Sequence, residues 1–344
     1  MCRLVIFKGT EPILLSHLLT RPAHSIINQA FDSRLRLDLR RPINGDGFGV
    51  GWYDTSEEVS DSEPCIFTSI TPAWNNANLT RIAEKIRSRL VFGHVRATTA
   101  GSLSQDNCHP WRHGRLMWMH NGGIASFEVL KRSLQALLPD DIFSIPQGNT
   151  DSEWAFALFL SILAKHIHPK PLLSPDPIPH LVLRQAMLDT IHQLNTLAQK
   201  HGITEPSLLN FCITDGQTVI ATRYVSSRTD EAASLYYSSG TTFSEYGGTD
   251  GSGGHYRMSK SDKRENIIMI ASEPLTFEKA DWREIPTNTM VVVTPKMNLL
   301  QIPIVDEFHV PHLTRCGARA SEFAATKGLL NPKPPSSGHQ PQVA

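Results

Sequence analysis

The segment GNTDSEWAFALFLSILAKH, residues 148–166, constrains the fold more than any other part of the sequence. A T-x-x-E capping box at Thr150 and Glu153 predicts the start of a helix, and the residues that follow are apolar on nearly every side until Lys165. Because a helix without a polar face has to be covered all round, we expect it to be buried between layers. A second long helix is predicted from His180 to Lys200.

Apolar runs typical of strands lie before and after these two helices. The earlier runs are 3–7, 47–53, 90–97 and 115–120, and the later ones are SLLNFCITD, QTVIATRYV, ASLYYSS, NIIMIAS, TMVVVTP and NLLQIPI. Most are continuous, as in strands covered on both faces. Residues 12–20 predict a turn at Pro12 leading into a short helix, and further short helices are predicted within 78–89 and 125–138. This order of strands, helices and strands predicts a layered α+β fold.

We predict one domain from residue 2 to residue 312. It includes a Gly-rich insertion at about 245–262, where GGTDGSGGHYRM has too much Gly and Ser to be ordered independently. Residues 313–344 contain NPKPPSSGHQPQ and are predicted to form a Pro-rich, disordered tail.

The composition excludes several classes of protein. Lys plus Arg and Asp plus Glu both number 33, so we expect no nucleic-acid partner. The five cysteines lack C-x-x-C spacing, which favours reduced thiols over a disulfide framework or a zinc ribbon. The start of the chain does not read as a signal peptide, and no apolar run approaches about 18 residues. We therefore expect a cytoplasmic protein that does not bind membranes.

Cysteine follows the initiator methionine in MCRLVIFKG. If Met1 is removed, Cys2 carries a thiol beside a free α-amine, and a nucleophile and a base are combined in one residue. The alternative is a small apolar residue at the edge of a buried strand.

Two charged residues are candidates for binding the head of an amino acid. Arg96, in GHVRATTAG, ends a predicted strand, and Thr99 follows in the turn; a bidentate guanidinium is suited to a carboxylate. Asp151 opens the buried helix, where it complements the helix dipole or, alternatively, receives an α-ammonium group. The other reading of Arg96 is a surface loop residue.

The motif MHNGGI combines an amide side chain with a pair of glycines. The side chain of Asn121 and the backbone N–H of Gly122 are candidate donors for an oxyanion hole. Asn-Gly is also a common hairpin turn, but a helical pattern follows. A second glycine-rich stretch, INGDGFGVGWY, lacks the features of a nucleotide-binding loop and favours close backbone packing. We expect neither a metal nor a cofactor in this chain.

In their order and spacing, Cys2, HVRATTAG, HNGG and GNTD resemble the signature of class II glutamine amidotransferases, which are N-terminal nucleophile hydrolases. NCHP, IASEPL and Trp282 extend the resemblance over about residues 2–305. It implies a four-layer αββα sandwich with Cys2 as nucleophile and α-amine base. It further implies substrate binding by Arg96, Thr99 and Asp151 and an oxyanion hole of Asn121 and Gly122. One departure is Ala100, where synthase-linked members often have His.

Other segments narrow the resemblance to the amidotransferase-like subunits of fungal glutathione-degrading complexes, among them RPAHSIINQAFDSRLRLD, TPAWNNANL and ASEPLTFE. This similarity implies hydrolysis of the γ-glutamyl bond of glutathione and other γ-glutamyl peptides, together with a metallopeptidase-type partner subunit. Two alternatives stay open. In the first, the chain is a glutaminase that supplies ammonia to a separate synthase. In the second, it is a non-catalytic scaffold for the metallopeptidase.

Overall fold

The computed structural model describes residues 2–31, 43–55, 62–97, 103–246, 254–276 and 278–310. Thr99, Ala100, residues 247–253 of the Gly-rich insertion and the tail 313–344 lie outside these ranges. The described helices are α1 (Ser16–Leu19), α2 (Ile26–Phe31), α3 (Ala77–Ala83), α4 (Phe127–Gln135), α5 (Asp140–Phe143), α6 (Asp151–Ile167) and α7 (His180–Lys200). The described strands are β1 (Arg3–Leu14), β2 (Phe48–Trp52), β3 (Cys65–Ser69), β4 (Arg87–Val95), β5 (Trp111–His113), β6 (Leu116–Gly123), β7 (Leu208–Thr214), β8 (Val219–Arg223), β9 (Tyr236–Gly240), β10 (Thr242–Glu245), β11 (Tyr256–Ser259), β12 (Ile267–Ala271), β13 (Arg283–Glu284), β14 (Thr289–Val293) and β15 (Leu299–Pro303).

Two antiparallel sheets form the centre of the domain. The first has the strand order β13-β9-β12-β1-β4-β2-β3, and the second has the order β15-β14-β8-β7-β6-β5. The predicted strand character is confirmed, since β2, β8 and β14 are buried along their whole length. A separate hairpin pairs β10 with β11, so the end of the Gly-rich insertion contributes a strand.

Three apolar clusters divide the domain into four layers. One joins α1, α2 and α3 to the outer face of the first sheet. A second lies between the sheets and includes Leu4, Phe92, Met119 and Val291. The third joins α4, α6 and α7 to the outer face of the second sheet. The predicted α+β class and αββα sandwich are confirmed.

Helix α6 is buried as its sequence predicts. The side chain of Thr150 accepts a hydrogen bond from the backbone N–H of Glu153 at 3.4 Å. The carboxylate of Glu153 accepts hydrogen bonds from the backbone N–H groups of Gln147 and Gly148. In the predicted capping box this carboxylate would bond the backbone N–H of Thr150; here it bonds the loop before the helix. Phe156 and Phe159 pack against Trp118 of the second sheet. Burial of each such side chain stabilises the fold by about 1.5–3 kcal/mol.

Two predicted boundaries are wrong, and strand pairing explains both. The helix predicted within 78–89 ends at Ala83, because residues from Arg87 onward pair with β1. The turn predicted at Pro12 is part of β1, whose pairing with β4 shifts register between Lys8 and Ile13. A bulge of this kind tolerates proline because the missing N–H is not needed in the ladder.

Close packing of the sheets requires glycine in β2. A Cβ atom at Gly49 would lie 2.0 Å from the carbonyl oxygen of His109, which precedes the first strand of the facing sheet. The close backbone approach predicted for the glycines of INGDGFGVGWY is confirmed at Gly49. No helix among the described residues is long and apolar enough to cross a bilayer.

Candidate active site

Cys2 lies directly before β1, and its half-buried side chain contacts the end of β4. The Sγ atom donates to the carbonyl oxygen of Ala97 at 3.6 Å and accepts from its N–H at 3.4 Å. In the β1–β4 ladder Arg3 is opposite Val95. Extending this register by one residue places Cys2 opposite Arg96. The structure therefore brings together the predicted nucleophile and the predicted carboxylate-binding residue.

Arg96 is 4% exposed and is held by the strand on its other side. Its backbone N–H donates to the carbonyl oxygen of Gly47 at 2.8 Å, and its carbonyl oxygen accepts from the backbone N–H of Asp46 at 3.2 Å. Its side chain shares a face of β4 with His94, because strand side chains alternate. Burial, followed by the charge of Arg96, lowers the pKa of His94 to about 3. His94, next to Arg96 on this face of the strand, is thus neutral. Thr99 lies outside the described residues.

His94 is stacked on a second buried histidine between the sheets. The rings of His94 and His109 are 3.9 Å apart at an angle of 22°. Burial, and next the neighbouring His94, lowers the pKa of His109 well below its ordinary value. The backbone N–H of His120 donates to Nδ1 of His109 at 3.3 Å. The pair thus joins the end of β4 to β6 without adding positive charge near Arg96.

Asn121 and Gly122 are at the end of β6, in register with Asn210 and Leu209 of β7. The hairpin-turn alternative is wrong, because both residues belong to a strand that is followed by α4. The Asn121 Nδ2 group donates to Ser272 Oγ at 3.0 Å. A Cβ atom at position 122 would lie 1.9 Å from the carbonyl oxygen of Leu208, so only glycine fits there.

Asp151 is the first residue of α6 and lies against the segment that follows the Asn-Gly pair. Its Oδ2 atom accepts from the backbone N–H of Ile124 at 2.8 Å. Its Oδ1 atom accepts from the backbone N–H of Ser152 at 2.8 Å. The carboxylate therefore holds the start of α6 against the end of β6. Its position is compatible with both predicted roles, at the helix dipole and beside a substrate ammonium group.

His120 connects this carboxylate to the second sheet. Its Nε2 atom is 2.9 Å from the carbonyl oxygen of Leu208, and its Nδ1 atom is 2.8 Å from Ser152 Oγ. Since a carbonyl only accepts, Nε2 carries a proton. The Ser152 hydroxyl lies between His120 Nδ1 and Asp151 Oδ1, which is 3.2 Å away, and has one proton to donate to either of these atoms. Burial lowers the pKa of His120 although the charge of Asp151 opposes this change. The imidazole is thus neutral and acts as a structural link.

Sequence reasoning missed a buried ion pair next to Cys2, the predicted nucleophile. Arg3 and Glu273 have fully buried side chains, and Arg3 Nε donates to Glu273 Oε1 at 2.7 Å. Arg3 also donates to the carbonyl oxygen of Cys2 at 2.9 Å. His24 Nε2 lies 3.0 Å from Glu273 Oε2. The signal for this pair was a charged residue inside the otherwise apolar MCRLVIF, combined with the acidic residue of IASEPL.

Hydrogen bonds and strand pairing, partly through intervening residues, connect the segments that carry the described candidate residues. Cys2 contacts the end of β4 beside Arg96. The Asn121 amide reaches β1 through Ser272, and Asp151 holds the segment after Gly122. A thiol, a guanidinium, an amide donor and a carboxylate thus lie at or beside the start of β1 and the ends of β4 and β6. This set of groups is suited to acyl transfer from a zwitterionic amino acid.

Comparisons with known proteins agree with this chemistry. A family model described as "Glutamine amidotransferases class-II" matches residues 15–301. The chain is 50% identical over 338 residues to "Probable glutamine amidotransferase DUG3" of Saccharomyces cerevisiae, covering 97% of this chain and 92% of that protein. It is 30% identical over 123 residues to "Gamma-glutamyl-hercynylcysteine sulfoxide hydrolase" of Mycolicibacterium smegmatis, covering 36% of this chain and 51% of that protein.

A solved structure shows the same fold. The structure of a glutamine aminotransferase class-II domain protein from Silicibacter pomeroyi aligns with a TM-score of 0.56 at 25% identity, covering 89% of this chain and 100% of that one. With the family model, the near-full-length relative and the αββα fold in agreement, the chain belongs to the class II glutamine amidotransferases, a family of N-terminal nucleophile amidohydrolases.

Proposed function

We propose that this protein hydrolyses the γ-glutamyl amide bond of glutathione and other γ-glutamyl peptides with Cys2 as nucleophile. In this proposal it works as the amidotransferase-like subunit of a glutathione-degrading complex with a metallopeptidase-type partner. The observation that carries the chemistry is the placement of Arg96 beside Cys2 and of Asp151 beside the Asn121–Gly122 segment. A γ-glutamyl group keeps its α-carboxylate and α-ammonium free, whereas an ordinary peptide bond consumes the carboxylate.

One relative supports the choice of a γ-glutamyl peptide over free glutamine. The M. smegmatis relative is named for hydrolysis of γ-glutamyl-hercynylcysteine sulfoxide, a γ-glutamyl compound that is not free glutamine. The S. cerevisiae relative, named as a probable glutamine amidotransferase, matches nearly the whole chain and supports the amidotransferase chemistry without distinguishing the two substrates. The segments noted above for their similarity to subunits of fungal glutathione-degrading complexes point in the same direction.

The mechanism begins when Met1 is removed. Free α-amines have reference pKa values of about 7.7–8.0 and thiols about 8.5, so an α-amine is a competent base for its own thiol near neutral pH. The thiolate of Cys2 attacks the γ-carbonyl carbon. The Nδ2 group of Asn121 and the N–H of Gly122 stabilise the oxyanion, and the protonated amine gives its proton to the leaving nitrogen. Water then hydrolyses the thioester and releases glutamate.

Glutamate release from glutathione and from glutamine tests the proposal. We would purify the protein with Met1 removed, verify the N-terminus by mass spectrometry, and assay it alone and with a candidate metallopeptidase. We expect glutathione turnover that is abolished in Cys2→Ala and retained in Cys65→Ala, a variant of an exposed free cysteine.

The alternatives give different results in the same assay. Turnover of glutamine without glutathione would instead support a glutaminase serving a separate synthase. Inactivity toward both substrates under all conditions would support the non-catalytic scaffold. Full activity in protein that retains Met1 would exclude the α-amine mechanism.

A further inference from the structure

Ser272 follows the last residue of β12 and connects two parts of the candidate site. It is fully buried. Its Oγ atom accepts one hydrogen bond from the backbone N–H of Leu4 at 3.0 Å and another from Asn121 Nδ2 at 3.0 Å. Leu4 is two residues after the nucleophile on the first sheet, whereas Asn121 is on the second sheet. One hydroxyl therefore bridges the two sheets between the nucleophile strand and the candidate oxyanion donor.

The hydroxyl occupies a position that a backbone carbonyl normally fills. The β1–β12 ladder ends with Val5 opposite Ala271. The next two residues opposite each other are Leu4 and Ser272. They keep one of the two backbone hydrogen bonds of such a pair, from the Ser272 N–H to the carbonyl oxygen of Leu4 at 3.0 Å. The second bond is replaced, because the Leu4 N–H donates to Ser272 Oγ and the Ser272 carbonyl accepts from Ser234 Oγ at 2.8 Å. Both the backbone and the side chain of Ser272 are thereby fixed to β1.

The amide of Asn121 depends on this anchor for its orientation. Within the described residues, Nδ2 donates to Ser272, and Oδ1 is buried without a hydrogen-bond partner. An amide nitrogen carries two N–H bonds in one plane. When one of them points at Ser272 Oγ, the direction of the other is set, and this second N–H is available to an oxyanion. Without the anchor, rotation about the last side-chain bond would bring the amide oxygen toward the negative charge.

We infer that Ser272 is a positioning residue for the reaction: its hydroxyl holds the Asn121 amide in the orientation that donates to the oxyanion and fixes it relative to Cys2. This inference rests on the proposed function, because it requires an oxyanion. Removal of one oxyanion donor typically lowers kcat by about 10²–10³-fold. Ser272→Ala leaves the donor in place but loses its orientation, so we expect kcat to fall by about 10–100-fold. KM should change by less than about threefold, since Arg96 and Asp151 are untouched.

The experiment compares four variants of the full chain with mature N-termini. They are Ser272→Ala, Ser272→Thr, Asn121→Ala and the Ser272→Ala/Asn121→Ala double variant. Ser238→Ala is the matched control, because Ser238 is 1% exposed on the adjacent strand β9 and its hydroxyl has no partner among the described residues. We would measure kcat and KM with whichever of glutathione and glutamine the wild type hydrolyses. The rate of Cys2 alkylation by iodoacetamide and the Tm report on the nucleophile and on folding.

Four results are expected together. The kcat falls in Ser272→Ala, returns to near the wild-type value in Ser272→Thr and is unchanged in Ser238→Ala. In Ser272→Ala, iodoacetamide alkylates Cys2 at the wild-type rate. In the double variant, Ser272→Ala adds no further loss of kcat to that of Asn121→Ala, because it acts through the amide. Equal kcat in wild type and Ser272→Ala, or additive losses in the double variant, would overturn the inference. Failure of the proposed function is a separate result. A wild-type protein that hydrolyses glutamine but not glutathione refutes the glutathione proposal and leaves the Ser272 test intact. A wild-type protein that hydrolyses neither substrate overturns both the proposed function and the inference about Ser272.

Discussion

Replacing Glu273 with glutamine tests how the nucleophile strand is supported. The Glu273 carboxylate accepts from Arg3 at 2.7 Å and lies 3.0 Å from His24 Nε2. Glu273→Gln preserves the shape of the side chain and removes the charge that compensates a fully buried guanidinium. Breaking a buried ion pair from one side typically destabilises a protein by about 3–5 kcal/mol. Arg3 also donates to the carbonyl oxygen of Cys2, so activity should fall together with stability.

Urea unfolding measures this loss. For a domain of this size, with a slope of about 2–3 kcal/mol per molar, we expect the midpoint to fall by about 1–2 M. The matched control is Glu63→Gln, which removes the same charge from the surface ion pair of Glu63 and Arg112. The Arg112 side chain is 48% exposed and the Glu63 side chain is 38% exposed. Exposed pairs contribute about 0–1 kcal/mol, so the control should shift the midpoint only slightly.

A third variant separates the unpaired charge from the loss of packing. Arg3→Met/Glu273→Met replaces both charges with apolar side chains, which is often tolerated where a half-broken pair is not. We expect this double variant to unfold at a higher urea concentration than Glu273→Gln. If Glu273→Gln and Glu63→Gln shift the midpoint equally, the reasoning from burial is refuted.

Three further predictions follow from the same geometry. Gly122→Ala should lower kcat by at least about 100-fold, because its Cβ atom would meet the carbonyl oxygen of Leu208 at 1.9 Å; wild-type kcat would refute the close approach. Asp151→Asn should raise KM for glutamine by at least about tenfold by weakening attraction to the α-ammonium, whereas deamino-glutamine should bind both proteins equally; equal KM values would favour a purely structural carboxylate. His94 has a folded-state pKa of about 3 against its ordinary 6.5, so stability should be fully present above pH 6.5 and fall as the pH drops toward 3, by up to about 1.4 kcal/mol per pH unit. NMR titration showing protonation of His94 between pH 8 and 5 in the folded state would contradict this prediction.

Local patterns predicted much of the fold. The helix from His180 to Lys200 was predicted with its observed bounds, and α6 begins immediately after its predicted cap, Thr150. These segments have strong periodicity or continuous apolar burial, and both signals are visible within a short window of sequence. The helical spacing of residues 78–89 is misleading at its end, because residues from Arg87 onward pair with β1, where Arg87 is opposite Leu14. Tertiary pairing overrides such weak local preference.

The candidate site was predictable only in part, for the same reason. Cys2, Arg96, Asn121, Gly122 and Asp151 occur in short motifs in which residue type and neighbours indicate the chemistry. The residues that orient them lie too far apart in the sequence for a short motif to indicate their pairing. Arg3 and Glu273 are 270 residues apart, and Asn121 and Ser272 are 151 residues apart. Only the pairing of β12 with β1 brings the end of IASEPL to the start of the chain.

This long-range support is what the proposed role of Cys2 as an N-terminal nucleophile requires. Terminal residues are poorly ordered unless the fold holds them, and a reactive group needs to be held to within about half an ångström to act efficiently. Cys2 meets this requirement through contacts with distant segments: its thiol is held by Ala97 and its carbonyl by Arg3, which Glu273 anchors. Each contact needs the neighbouring strand to be in place. The contacts that hold the proposed nucleophile therefore require β12, β1 and β4 to be paired, so its order depends on an intact first sheet.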